Sequence, residues 1–169
     1  MKQDHSKKGS IDEKIRPILD LLNAQDNYYT TSSCSGRVYL WKGTGKKNQT
    51  EWIKVSHDLI TENFLETKEK GLIWLRVEPF ILHVACKDLQ SATCLLEKAH
   101  TIYKKSCLLS ASNKIIVEIR GSEFLEMPLY AEGTLLFSGK KDFLLRLINQ
   151  KLERMEESRR RFYALIKEL

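Results

Sequence analysis

Trp74-Leu75-Arg76-Val77-Glu78-Pro79-Phe80-Ile81-Leu82-His83-Val84-Ala85-Cys86 carries most of the information about the fold. Apolar residues alternate with Trp74, Arg76 and Glu78, which is the period-two pattern of a strand with one buried face, and residues 71–86 read as one long strand. Side chains five apart on a regular strand face opposite ways, so Glu78 and His83 would not share a site. Pro79 changes that expectation. It cannot donate to a ladder, so it belongs at an edge or a bulge, and one extra residue there would bring Glu78 and His83 onto one face. A polar face on an otherwise apolar strand suggests a pocket wall. The plain alternatives are an ordinary Arg76–Glu78 ion pair, a half-buried histidine and a core tryptophan.

Upstream, Ser32-Ser33-Cys34-Ser35-Gly36-Arg37 places hydroxyls, a thiol, a glycine free to take positive φ and a fork-shaped guanidinium between two apolar segments. This reads as an anion-binding turn, with Arg37 gripping a phosphate or carboxylate through two parallel hydrogen bonds. A strand entry with a solvated Arg is the bland alternative.

Around these motifs the chain is a mixture of helices and adjacent strands. Ser10 and Glu13 form a capping box, and Ile11, Ile15, Ile18 and Leu22 recur at helical spacing, with Pro17 moving the helix start to Arg16 or Pro17. Strands are expected at 38–41 and 51–55 around the polar tip 42–50, helical character over 58–69, and a helix capped by Asp88 that buries Leu89, Ala92, Leu96, Ala99 and Tyr103. Strands at 115–120 and 124–130 read as a hairpin about Gly121-Ser122. From about Gly139 a long helix carries Leu145, Ile148, Leu152, Met155, Phe162, Ile166 and Leu169 along one seam, with Arg159 at an intervening seam position. The expected fold class is α+β, a single domain over 10–169 with a mixed or antiparallel sheet flanked by helices, preceded by a disordered lead at 1–9.

Composition narrows the function. The chain has 169 residues, 42% hydrophobic and 30% charged, with a formal net charge of +6. Residues 138–169 hold nine Lys and Arg against five Asp and Glu, so the excess lies mainly near the C-terminus and fits an acidic partner. Cysteines at 34, 86, 94 and 107 form no Cys-x-x-Cys pair, which fits reduced thiols in a cytoplasmic protein. No apolar run approaches membrane-spanning length. Gly43 and Gly45 do not make a dinucleotide loop, because a strand follows them and the third glycine is missing. No close spacing of His57, His83 and a cysteine nucleates a metal site. Lys46 and Lys47 at the loop tip, with Arg159, Arg160 and Arg161 on the last helix, are the candidate phosphate contacts.

The segments Tyr29 to Arg37 and Glu78 to His83 resemble the tRNA wybutosine-synthesizing protein 3 family. Trp52 to His57, Ile119 to Ser122, Glu126 to Pro128, Leu147 to Leu152 and Arg161 to Tyr163 follow in the family's order, so the resemblance covers roughly residues 10–169. It implies a methyltransferase that uses S-adenosylmethionine to methylate ring N4 of a tricyclic wyosine precursor beside the anticodon of phenylalanine tRNA. Replacing N–H by N–CH₃ needs a proton acceptor, and Glu78 and His83 are the candidates. Ser33, Ser35, Gly36, Arg37, His57, Arg120 and Ser122 are the candidates for holding the methyl donor or the precursor. Two other readings stand beside this one: a noncatalytic RNA-binding module, and a scaffold that pairs through the C-terminal helix.

Overall fold

The computed structural model describes residues 12–43 and 50–169. The chain forms four helices and nine strands among these residues, all strand pairs antiparallel, in the α+β class expected from the sequence. It divides into two compact units.

The first unit comprises residues up to 35, 79–122 and 155–169. Helix α1 (Arg16–Asn23) starts where Pro17 allows, because proline's fixed φ suits a first turn and its missing N–H is not needed there. Strands β1 (Tyr28–Cys34), β5 (Ile81–Cys86), β7 (Ile115–Arg120) and β6 (Cys107–Ala111) make one sheet in the order β1-β5-β7-β6. Helix α3 (Leu89–His100) begins at Asp88, whose side chain accepts from the Ser91 amide at 2.7 Å. Its buried stripe is Ala92, Leu95 and Ala99, followed by Tyr103, whereas Leu89 is exposed because it lies in the first turn beside the cap. Leu82, Val84, Val117 and Ile119 of the sheet meet Ile15 at the N-cap, Ile18 and Leu22 of α1 and these residues of α3 and the turn after it in one apolar core.

The second unit comprises residues 36–78 and 123–154. Strands β2 (Arg37–Gly43), β3 (Thr50–Ser56), β4 (Leu72–Glu78), β8 (Leu125–Ala131) and β9 (Thr134–Leu135) form a sheet in the order β3-β2-β4-β8-β9. A single helical turn, α2 (Glu62–Leu65), replaces the longer helix expected over 58–69, whose lysines and glutamates offer too little apolar surface to hold more turns. Helix α4 (Lys141–Ile166) supplies residues 141–154 to this unit and 155–166 to the first. Its buried positions are Leu144, Ile148, Leu152, Met155, Arg159, Phe162 and Ile166, so the seam is packed within the fold. No described helix is long and apolar enough to cross a membrane.

Two expectations are corrected. Residues 71–86 are not one strand: the chain leaves one sheet at Glu78 and enters the other at Ile81, with Pro79 and Phe80 outside both. Pro79 therefore breaks a strand rather than bulging one. The Gly121 amide donates to the Phe80 carbonyl at 2.9 Å, and a Cβ at Gly121 would lie only 3.2 Å from Pro79 Cβ, so glycine is what lets the two segments approach here. Likewise β7 and β8 do not pair as a hairpin; they lie in different sheets, and the chain passes between units after Ser122. Register shifts occur at other places, among them β1 between Thr30 and Ser32 and β4 between Ile73 and Trp74.

Candidate functional site

In the second unit, direct cross-strand register places Arg37 opposite Glu78, Tyr39 opposite Arg76, and Trp41 opposite Trp74. Paired residues share a face, so two motifs far apart in sequence meet on one side of the sheet. Arg37 Nε and Nη2 both donate to Glu78 Oε2, at 2.9 and 2.8 Å, and the Tyr39 hydroxyl donates to Oε1 at 2.6 Å. Arg76 adds charge at 3.6 Å from Oε1, donates to the Tyr39 oxygen at 3.0 Å, and is itself held by Glu126. The guanidinium of Arg37 lies over the Trp52 ring at 4.4 Å and that of Arg76 over Trp41 at 5.0 Å.

Burial pushes the Glu78 carboxyl up, but the Tyr39 hydrogen bond and the charges of Arg37 and Arg76 outweigh it and hold the group below the ordinary carboxylate value. Glu78 is thus an ionised anchor that fixes the Arg37 fork. Burial, followed by the hydrogen bond to Glu78, raises the Tyr39 hydroxyl well above the ordinary phenol, so it remains a proton donor to the carboxylate. Together the face presents a guanidinium whose Nη1 is not engaged by Glu78, a carboxylate and aromatic faces. That donor set suits a molecule carrying a carboxylate.

In the first unit, His83 faces Ser32 on β1 and Glu118 on β7. Ser32 Oγ lies 2.9 Å from Nδ1 and Glu118 Oε2 lies 2.9 Å from Nε2. The sequence reading singled out Ser33, but register sets Ser33 opposite Leu82, a core residue, and it is Ser32 that meets the histidine. Glu118 and Tyr39 were also missed. Both reveal themselves only through strand pairing over 35 or more residues.

The Ser/Cys motif is a strand that ends in a break rather than a free turn. Ser35 is 2% exposed; its amide donates to Asp12 Oδ2 at 3.1 Å and its carbonyl accepts from Arg159 Nη1 at 3.1 Å. Gly36 takes φ +96°, the left-handed backbone that glycine adopts without strain. The Gly36 carbonyl lies 2.8 Å from His57 Nδ1. His57 therefore secures the start of β2 next to Arg37.

Arg159 is 5% exposed and pairs with Glu156 besides Ser35, so its guanidinium is a structural clamp and not a phosphate contact. Arg160 and Arg161 are exposed, with Arg160 held by Glu157 three residues earlier. Arg120 and Ser122 are exposed at and after the end of β7. Lys46 and Lys47 lie outside the described residues. All four cysteines are free thiols, and no group of three or more His, Cys, Asp or Glu among the described residues is arranged to hold a metal.

Comparison with known proteins bears on these clusters. The profile of a family described as Methyltransferase TYW3 matches residues 1–168. The chain is 37% identical over 173 residues to the tRNA(Phe) 7-((3-amino-3-carboxypropyl)-4-demethylwyosine(37)-N(4))-methyltransferase of Methanocaldococcus jannaschii, covering 96% of this chain and 90% of that protein. It is 36% identical to the tRNA wybutosine-synthesizing protein 3 homolog of Danio rerio, over 90% of this chain and 65% of the relative's length. Among solved structures, that of the PH1069 protein from Pyrococcus horikoshii is similar, with a TM-score of 0.86 at 32% identity over 95% of this chain and 87% of that one.

Proposed function

The chain belongs to the Methyltransferase TYW3 family, and from that premise we propose that it methylates ring N4 of a demethylwyosine nucleotide in phenylalanine tRNA. S-adenosylmethionine supplies the reaction with a methyl group on a positively charged sulfur. The observation that carries this reading is the Arg37–Glu78–Tyr39 cluster, which the pairing of β2 with β4 builds from the two motifs that also carry the family resemblance.

Arg37, anchored by Glu78 and stacked on Trp52, binds a carboxylate of the methyl donor or of the precursor's aminocarboxypropyl tail. With Glu78 committed to two arginines and a phenol, proton acceptance falls to His83. Ser35 and Gly36 form the backbone that aims Arg37, and His57 holds that backbone by its bond to Gly36. Ser33, Arg120 and Ser122 remain candidates for contacts to the substrate. A tRNA substrate fits a cytoplasmic reaction.

Titration calorimetry with S-adenosylmethionine tests this assignment. Saturable binding is expected, and binding of tRNA without any binding of the methyl donor would favour the RNA-binding module instead. The scaffold reading loses its main support, because the seam of α4 is buried within the fold.

Phosphate contacts contribute a sequence-independent, salt-sensitive share of tRNA affinity. Exposed Arg160 and Arg161 are in place to supply part of it. Reversing both charges is expected to weaken tRNA binding roughly tenfold at low salt and to flatten its salt dependence, with melting temperature and methyl-donor affinity unchanged. Unaltered affinity across a salt titration would remove α4 from the RNA footprint.

A further inference from the structure

We propose that Ser32, His83 and Glu118 form a proton path across three adjacent strands, in which Glu118 is a positioning residue that leaves His83 Nδ1 as the base behind the Ser32 hydroxyl. The inference rests on the methyl-transfer reading and names the groups that take the proton released in that reaction.

Hydrogen-bond logic fixes the direction. An ionised carboxylate only accepts, so Glu118 Oε2 at 2.9 Å requires that neutral His83 carry its hydrogen on Nε2. Nδ1 then holds a lone pair, and the Ser32 O–H, 2.9 Å away, must donate to it. Both lone pairs of the Ser32 oxygen remain as acceptors for a hydrogen from outside. Once a proton arrives, the imidazolium lies against the Glu118 carboxylate.

The local backbone is built for this contact. Thr30 pairs with Val84, so a regular ladder would set Thr31 opposite His83. The bulge after Thr30 inserts one residue, turns Ser32 toward the ring, and leaves the Thr31 hydroxyl to donate to the His83 carbonyl at 3.3 Å. On β5 and β7 the neighbours on the same face are Ile81, Ala85 and Ile116, with Arg120 opposite Ile81 at the end of β7. The His83 and Glu118 side chains are 25% and 16% exposed, open enough to receive a proton.

The step balances as follows. The acceptor nitrogen loses its N–H hydrogen to Ser32 Oγ as the Ser32 hydrogen passes to His83 Nδ1. That nitrogen's electron pair forms the new N–CH₃ bond, and the pair of the breaking C–S bond stays on sulfur.

The test uses the full chain with ¹⁵N-labelled histidine and a steady-state assay on demethylwyosine-containing tRNA. The wild-type His83 ring is expected as the Nε2–H tautomer at neutral pH by long-range ¹H–¹⁵N correlation. Ser32→Ala and the isosteric Glu118→Gln are expected to fold with unchanged melting temperature and unchanged KM for both substrates, while kcat falls on the order of a hundredfold or more in Ser32→Ala, as for other general-base elements, and on the order of tenfold to a hundredfold in Glu118→Gln, as for residues that orient a functional histidine. An Nδ1–H tautomer, or wild-type kcat in both variants, overturns the path. If the wild-type protein itself transfers no methyl group, the methyl-transfer reading fails and the path fails with it; active variants beside an active wild type sink the path alone.

Discussion

Phe80→Ala should lower the unfolding free energy by about 4 kcal/mol, within the range for emptying an aromatic site in a packed core. Phe80 is fully buried, stacks on Tyr103 with ring centres 4.8 Å apart, and meets Phe162 of α4 at 6.4 Å. Tyr103 and Phe162 complete the triangle edge to face at 5.5 Å. Nothing small rearranges to fill such a gap, because the three rings come from a strand entry, the turn after α3 and the last helix. For a chain of this size that loss corresponds to a melting point lower by roughly 8–16 °C, whereas Phe80→Leu, which keeps most of the volume, should cost about 1 kcal/mol. Thermal unfolding followed by circular dichroism reads both. A shift of under about 2 °C for the alanine variant would mean that this cluster does not hold the first unit together.

Arg37→Lys should reduce methyl transfer by on the order of a hundredfold while leaving the fold intact, the size of effect seen when a fixed electrostatic contact is lost from a reacting site. Lysine keeps the charge next to Glu78 but has one nitrogen where the guanidinium directs Nε and Nη2 at Oε2. It also loses the planar stack on Trp52. The remaining Glu78 bonds, from Tyr39 and with Arg76, preserve the local structure. Initial rates on demethylwyosine-containing tRNA, alongside a melting curve, separate the two effects. Wild-type rates in this variant would show that Arg37 is only a structural ion.

The features legible in the sequence were local ones. Helical spacing marked α1, α3 and α4, period-two alternation put Trp74, Arg76 and Glu78 on one face, and the glycine after a serine run marked the positive φ at Gly36. Strand β1 was missed because its threonines and serines favour turns as readily as strands, although Tyr28, Tyr29, Thr30 and Thr31 together carried the β signal. The division into two sheets was invisible for a different reason. A proline between two apolar runs looks the same whether it bulges one strand or separates two, and only long-range pairing decides. The same blindness hid Glu118, whose link to His83 depends on the register of β5 with β7. Arg159 was instead misread despite a visible clue: it occupies a seam position between Met155 and Phe162, and that spacing already placed it inside. The charge of Arg159 points to solvent and its spacing to the core, and the side chain follows the spacing.

Mass spectrometry of nucleosides from phenylalanine tRNA carrying the demethylwyosine precursor, incubated with this protein and S-adenosylmethionine bearing a labelled methyl group, tests the account most directly. One labelled methyl is expected on ring N4 of the tricyclic base, dependent on the protein and strongly reduced in Arg37→Lys. Tight binding of that tRNA with the precursor left unmethylated, under conditions where the methyl donor also binds, would contradict it.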